Sequence, residues 1–220
     1  MGFGGLLPPA ADRTKIPGQA YLRARHLKVQ NTSAYNKAVK ASTPRFFGYY
    51  PNTVALVTAE HQGKRNVMSA GWHAALSSDP PLYGVAIGRE RATHALVTSS
   101  GRFALNFLPF EHARAVQGAG VLSLHDGADK YGQLGLTPHP GEELVLAEAY
   151  LTYVCSLSQV VTTGDHDWCV GQVERVWYDE GAFDERLLFR GEAAVYLGRS
   201  EYVCLNTGGK RVVVPSEQFG

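Results

Sequence analysis

From residue 53 onward the chain is written as short apolar, β-branched runs separated by turn residues. Thr53-Val-Ala-Leu-Val-Thr58 is an apolar, β-branched run ending at His61-Gln-Gly63-Lys64, which predicts a strand entering a hairpin turn. The pattern resumes over residues 66–76 as a second strand, and Asp79-Pro80-Pro81 stops it because proline cannot donate to a central ladder. Residues 82–87 predict a further strand with Gly88 as its exit, and residues 93–100 a short helix with Thr93 as N-cap and Gly101 just past the end. Phe103, Leu105 and Phe107 alternate with Ala104, Asn106 and Leu108, a strand with one strongly apolar face. Residues 111–117 predict a helix and 129–132 a single helical turn. The runs 151–161 and 168–177 flank Gly164-Asp165-His166-Asp167 as a long hairpin, and 193–197 with 202–205 flank Gly198-Arg199-Ser200 as a last one.

Seven or eight strands joined mostly by short turns, with two or three short helices, predict a mainly β fold: an antiparallel barrel or sandwich with helical decoration. Residues 1–44 differ. They carry Pro8-Pro9 and a basic stretch over residues 15–28, with no sustained apolar period. They are expected to be an N-terminal arm that packs on the domain or on a partner subunit. Residues 45–205 form the domain and 206–220 a C-terminal tail.

The chain has 220 residues, enough for one domain with a full core. Lys and Arg number 21 against 20 Asp and Glu, so a net charge of +1 supplies no bulk field for nucleic acid or an anionic membrane, and neither is expected as a partner. No apolar stretch approaches a membrane span, and MGFGGLLPPA lacks the charged start and apolar centre of a signal peptide, so the expected location is the cytoplasm. Cys155, Cys169 and Cys204 are widely spaced within apolar or β-branched stretches; they are expected to be buried reduced thiols, with a redox or nucleophilic role as the lesser option. GxGxxG after a strand, GxxxxGK[ST], HExxH and GxSxG are all missing, which removes the common nucleotide, zinc-protease and serine-hydrolase readings.

Four segments could carry chemistry. In Asn66-Val-Met-Ser-Ala-Gly-Trp72, Asn66, Met68, Ala70 and Trp72 share one strand face and Val67, Ser69 and Gly71 the other. Small residues beside an indole let a flat ligand lie close to backbone amides; equally, they pack a core tryptophan. Arg89-Glu-Arg91-Ala-Thr93-His94 leads into a helix start, whose unpaired N–H groups suit a phosphate, or which is an ordinary capped helix behind a solvated basic loop. Lys130 is either a further phosphate cation or a surface lysine. His166, between Asp165 and Asp167, either meets an anionic ligand or is an exposed turn histidine.

The order of these segments adds a constraint that none has singly. Asn66-Val-Met-Ser-Ala-Gly-Trp72, Ser78-Asp-Pro-Pro-Leu82, Val85-Ala-Ile-Gly88, Thr93-His94, Phe103-Ala-Leu-Asn106, Asp129-Lys-Tyr-Gly-Gln-Leu-Gly-Leu-Thr-Pro138 and Gly164-Asp-His166 resemble, in series over about residues 45–200, the flavin reductase-like family of the flavoredoxin type. The resemblance implies an FMN-binding split β-barrel of Greek-key type, forming a homodimer with flavin near the subunit interface. It implies that Asn66 lies near the isoalloxazine, that Met68, Ser69 and Ala70 run along the ring and that Trp72 is an aromatic beside it. Thr93 with His94 corresponds to the phosphate-binding position, and Lys130 to the lysine at the cofactor's phosphate end, with Arg91 and Gly88 in the same set. His166 corresponds to a histidine of the flavin cleft, where a nicotinamide nucleotide is also accommodated, and Asn106 to a strand lining the site. Tyr196 falls near a late family aromatic. The sequence departs from the family in the acidic loop Leu124-His-Asp-Gly-Ala-Asp129 and in Trp168-Cys169 after the histidine turn.

The implied activity is hydride transfer from NADH or NADPH to flavin N5, followed by reoxidation by a small-molecule or protein acceptor. The alternatives are an FMN-binding carrier or sensor without NAD(P)H turnover, a barrel with no cofactor, and a pyridoxamine-phosphate-oxidase relative.

Overall fold

The computed structural model describes residues 50–209 and 212–215. The expected arm over residues 1–44 lies outside them, as do residues 210, 211 and 216–220 of the expected tail. The chain begins with β1 (Asn52–Thr53), β2 (Ala55–His61) and β3 (Lys64–Ala70). Gln62 and Gly63 turn β2 into β3 with positive φ of 52° and 76°, the geometry that a two-residue hairpin turn requires. β4 (His73–Ser78) and β5 (Pro81–Gly88) follow, then α1 (Ala92–Ser100), β6 (Arg102–Phe107), α2 (Ala113–Val121) and α3 (Lys130–Leu134). The short β7 (Pro138–His139) and β8 (Glu142–Leu146) precede the long hairpin of β9 (Leu151–Thr163) and β10 (His166–Tyr178), and β11 (Glu192–Gly198) and β12 (Glu201–Asn206) end the fold.

Seven strands form one antiparallel sheet in the order β3-β2-β6-β9-β10-β5-β4, and β1-β11-β12 and β7-β8 form two small sheets. This is the expected mainly β architecture with short helices. The expected single strand over 66–76 is instead two, because Gly71 and Trp72 interrupt it. β3 and β4 then stand at opposite edges of the sheet although only those two residues link them. Six inter-strand spacings span about 29 Å, and the three steps from Ala70 to His73 reach at most about 11 Å. The sheet must curl until its edges meet, and a hydrogen bond from Ala86 N to Trp72 O, 2.9 Å, lies at the join.

Curling buries both faces of the central strands. Ala55, Val57, Ala59 and Ala70 enter one core cluster with Phe103, Leu105 and α1's Val97, whereas Leu56 and Val67 point the other way, to α2 and α3. That is why β2 is written as a continuous apolar run and not as an alternation. Gly171 on β10 permits the tight crossing inside: a Cβ there would stand 2.6 Å from both the Phe103 ring and Cys155 Cβ.

Several expectations shift. The N-cap of α1 is Arg91, which makes no side-chain cap bond; Thr93 lies one residue inside the helix start and is fully buried. Gly101 does close α1, in the left-handed conformation with its N–H on Val97 O. The second helix begins at Ala113, after a tight turn over Phe110–His112. Cys155 and Cys169 are buried, and burial pushes their thiols up to about 12 and about 11. Cys204 is only half-buried on the outer strand β12, because the β1-β11-β12 sheet has one face toward solvent. No helix among the described residues is long and apolar enough to cross a membrane.

β8 has no counterpart in the sequence pattern, yet it is essential to the packing. Leu144, Val145 and Leu146 are buried, and Asn106 fastens them to the barrel. Its Nδ2 donates to Leu144 O (3.1 Å), Leu56 O (3.2 Å) and Thr58 Oγ1 (3.1 Å), while Oδ1 accepts from Leu146 N (2.8 Å) and Thr152 Oγ1 (2.9 Å). Asn106→Ala strips partners from buried groups on three other strands, β2, β8 and β9, and the expected loss is about 3 kcal/mol in urea unfolding, with a lower midpoint and unchanged slope. A loss under about 1 kcal/mol would mean that water or a rearranged neighbour replaces the amide.

Candidate functional site

A cleft of about 550 Å³ opens between β3, the start of α1, α2 and the β9–β10 turn. Its size suits a cofactor-sized ligand, for which pockets span about 300–1,000 Å³. One wall is β3, whose outward Ser69 donates to Val116 O of α2 and whose inward Asn66 faces α1.

At the deep end the cleft holds polar groups that the protein itself does not fully satisfy. Asn66 is 3% exposed; its Nδ2 donates to Thr93 Oγ1 at 2.9 Å and its Oδ1 has no partner. Lys130 is 5% exposed, and its Nζ donates to Val67 O (2.8 Å) and Ala119 O (3.0 Å). An ammonium has three donors, so one N–H remains beyond those two carbonyls. No carboxylate is paired with Lys130 among the described residues. Desolvation, and then the positive charge of Arg91, lower its pKa from 10.5 to about 8. Ala92 and Thr93, the first residues of α1, line the same end, where a helix presents unpaired N–H groups and positive potential. A buried cation without a counter-ion, a second cation and a helix start converge on a place for an anion.

The mouth is aromatic. The Trp72 and His166 rings meet at 5.0 Å with planes tilted by 55°. His166 Nδ1 lies 2.8 Å from Asp165 Oδ1. Arg91 stands at the rim with its Nε 3.1 Å from Glu90 Oε1, both side chains largely in solvent.

Ten of the twelve residues assigned from sequence line this cleft: Asn66, Met68, Ser69, Ala70, Trp72, Gly88, Arg91, Thr93, Lys130 and His166. Two do not. His94 turns away and places Nε2 2.8 Å from Asp167 Oδ2, because successive helical residues point about 100° apart and Thr93 takes the inward direction. Asn106 is a core node, as described above. Tyr196 lines the cleft, as does Tyr202, which donates to Gln117 Oε1 at 3.0 Å. Sequence reasoning missed α2 and residues 121–125, whose small and mixed side chains carry no chemical signature. His125 closes that segment on the β5–α1 loop, with Nε2 3.2 Å from Glu90 O.

A family model, the flavin reductase like domain, matches residues 47–198. The chain belongs to the flavin reductase-like family. The chain is 38% identical over 131 residues to an uncharacterised protein of Aeropyrum pernix, covering 58% of this chain and only 50% of that relative's length. The solved structure of an FMN-binding protein from Thermus thermophilus with bound 1-cyclohex-2-enone superposes with a TM-score of 0.69 at 32% identity, covering 81% of this chain and 98% of that one. Flavoredoxin of Desulfovibrio vulgaris (Miyazaki F) shares the fold at a TM-score of 0.70 and 22% identity, covering 83% of this chain and 100% of its own.

The Lys130 ammonium makes a prediction that does not depend on any cofactor. Its folded pKa lies below its unfolded value, so the folded state binds fewer protons between about 8 and 10.5. The penalty for the buried charge is therefore complete below about pH 8 and disappears above about 10.5. Relative to Lys130→Met, the wild type should gain about 3 kcal/mol across that window in urea unfolding. A flat difference would show that the ammonium is solvated in the native state.

Proposed function

We propose that the cleft binds FMN and that the protein is a flavin-dependent oxidoreductase drawing hydride from NADH or NADPH. The observation that carries this reading is the buried, counter-ion-free Lys130 beside the start of α1. Such a site is unstable without an anion, and a phosphomonoester provides one. Lys130, Thr93 and the first N–H groups of α1 would hold the phosphate through charge-assisted hydrogen bonds, with Arg91 adding field from the rim. The orphaned Asn66 Oδ1 requires a donor, which a flavin imide N–H or a ribityl hydroxyl supplies. Met68, Ser69 and Ala70 form the wall against which a flat ring would lie, and Trp72 and His166 would shelter it at the mouth.

When bound, FMN supplies the redox chemistry, accepting hydride from a reduced nicotinamide and delivering electrons to a small-molecule or protein acceptor. The chain's own residues orient and desolvate; no side chain is needed as a general acid or base at the hydride step. His166 is the residue assigned to the nicotinamide nucleotide. The family membership and the likeness to an FMN-binding protein at 32% identity support this reading. A second copy of the chain is the expected cover for Tyr50 and Val121 at the rim, which are 61% and 70% exposed.

The test is a fluorescence titration with FMN, then anaerobic addition of NADH or NADPH. The wild type should retain FMN through desalting, and its visible absorbance should bleach with a reduced nicotinamide. Lys130→Ala should weaken FMN binding by about tenfold or more, the size of one charge-assisted contact. The same variant without flavin should change little in thermal stability, because removing the buried charge offsets the donors lost by Val67 O and Ala119 O. FMN binding without bleaching would leave a carrier or sensor, and unchanged affinity in Lys130→Ala would remove Lys130 from the phosphate site.

A further inference from the structure

A cluster outside the cleft lining joins its two walls. Asp167, second residue of β10, is 6% exposed, and its carboxylate accepts from Arg89 Nη1 at 3.1 Å and from His94 Nε2 at 2.8 Å. A carboxylate can only accept, so His94 carries its proton on Nε2. Burial pushes the Asp167 pKa up, but hydrogen bonds from His94, Arg89 and Thr162 outweigh it and hold the group below the usual carboxylate range. Arg89 also reaches over the hairpin tip, with Nη2 donating to Gly164 O at 2.7 Å. The cluster thus binds three pieces of chain far apart in sequence: the β5–α1 loop, the body of α1 and the β9–β10 turn.

His166 sits between the two residues so fastened, Gly164 and Asp167. Asp165 is too exposed to fix it, with a side chain 89% in solvent. The ladder from β10 to β5 and β9 holds the His166 backbone, with His166 opposite Gly88 and Thr163, and the Trp72 contact orients the imidazole only if the hairpin tip also keeps its place against α1.

We propose that Asp167 is a positioning residue, which by holding Arg89 and His94 together locks the β9–β10 turn to α1 and so sets where His166 stands at the mouth. The functional consequence rests on the reading of His166 as the residue that receives the nicotinamide nucleotide. Asp167 contacts no cleft-lining atom needed for the phosphate, so the two effects are separable.

The experiment has two arms. In the first, Asp167→Asn is compared with wild type without flavin by NMR of the histidine and tryptophan side chains. The His166 imidazole and Trp72 indole signals should both move; if both stay in place, the proposal is overturned. Arg89→Gln, at a half-exposed position, tests the same lock without altering a buried charge and should move the same two signals. In the second arm, FMN-loaded Asp167→Asn should raise KM for NADH or NADPH about fivefold with kcat and FMN affinity within about twofold. In a His166→Ala background the same substitution should have no further effect on KM, since it acts through His166. An additive KM increase in that background would overturn the positioning role. If His166→Ala alone leaves KM unchanged while the NMR signals move, the lock stands and the assignment of His166 to the nicotinamide fails.

Discussion

The short link between β3 and β4 constrains everything else in this structure. Two residues, Gly71 and Trp72, join the opposite edges of a seven-stranded sheet. An open sheet of that width cannot be spanned so briefly, so closure follows from chain length alone. Closure then fixes the position of the cleft. Trp72 must lie at the seam, β3 must turn one face to α1 and the other to α2, and the ends of β5 and β10 must converge beside it. The residues that face the cleft come from distant parts of the chain because the seam gathers them.

Polar groups inside the barrel divide into two kinds. Asn106 uses both ends of its amide on five partners and holds β8 against the barrel. Asn66, nearly as buried, has one end unpaired and facing the cleft. Lys130 is bonded to carbonyls yet has no opposing charge. A buried polar group that is fully satisfied specifies the fold, whereas one left incomplete at a cavity marks where a ligand completes it. That contrast separates structural from functional polarity here better than residue type does.

It also accounts for what could be read from the chain in advance. The hairpins were legible because Gln62-Gly63 and Gly164-Asp165 carry their own turn chemistry, and the strands were legible from period. The split of residues 66–76 was not, since Gly71-Trp72 has no breaker stronger than one glycine and the separation of β3 from β4 is a tertiary fact. β8 was missed because four apolar residues between acidic ones fit no template, and tertiary contacts to Asn106 and Thr58 are what place them. Asn106 itself read as a site residue because an amide within an apolar alternation looks the same whether it meets a ligand or Leu144. The cleft residues emerged through the ordered resemblance to a family, not through spacing. The Asp167–His94 contact spans 73 positions and has no signature in a single sequence.

A net charge of +1 therefore conceals two opposite local solutions to the cost of burying charge. At Asp167 the charge is neutralised within the protein by Arg89 and solvated by His94 and Thr162, which makes a rigid joint. At Lys130 the charge is left without a partner, which destabilises the folded chain by an amount that an arriving anion can return. Rigidity at the mouth and incompleteness at the depth are complementary. In the proposed function, a ligand whose anionic end satisfies Lys130 would be held by one end, and its other end would meet the wall that Asp167 is proposed to position. Exchanging the two would fail: a Lys130 already neutralised within the protein would offer an anion no free charge, and an uncompensated Asp167 would leave a buried carboxylate without the Arg89 and His94 donors that tie the hairpin tip to α1.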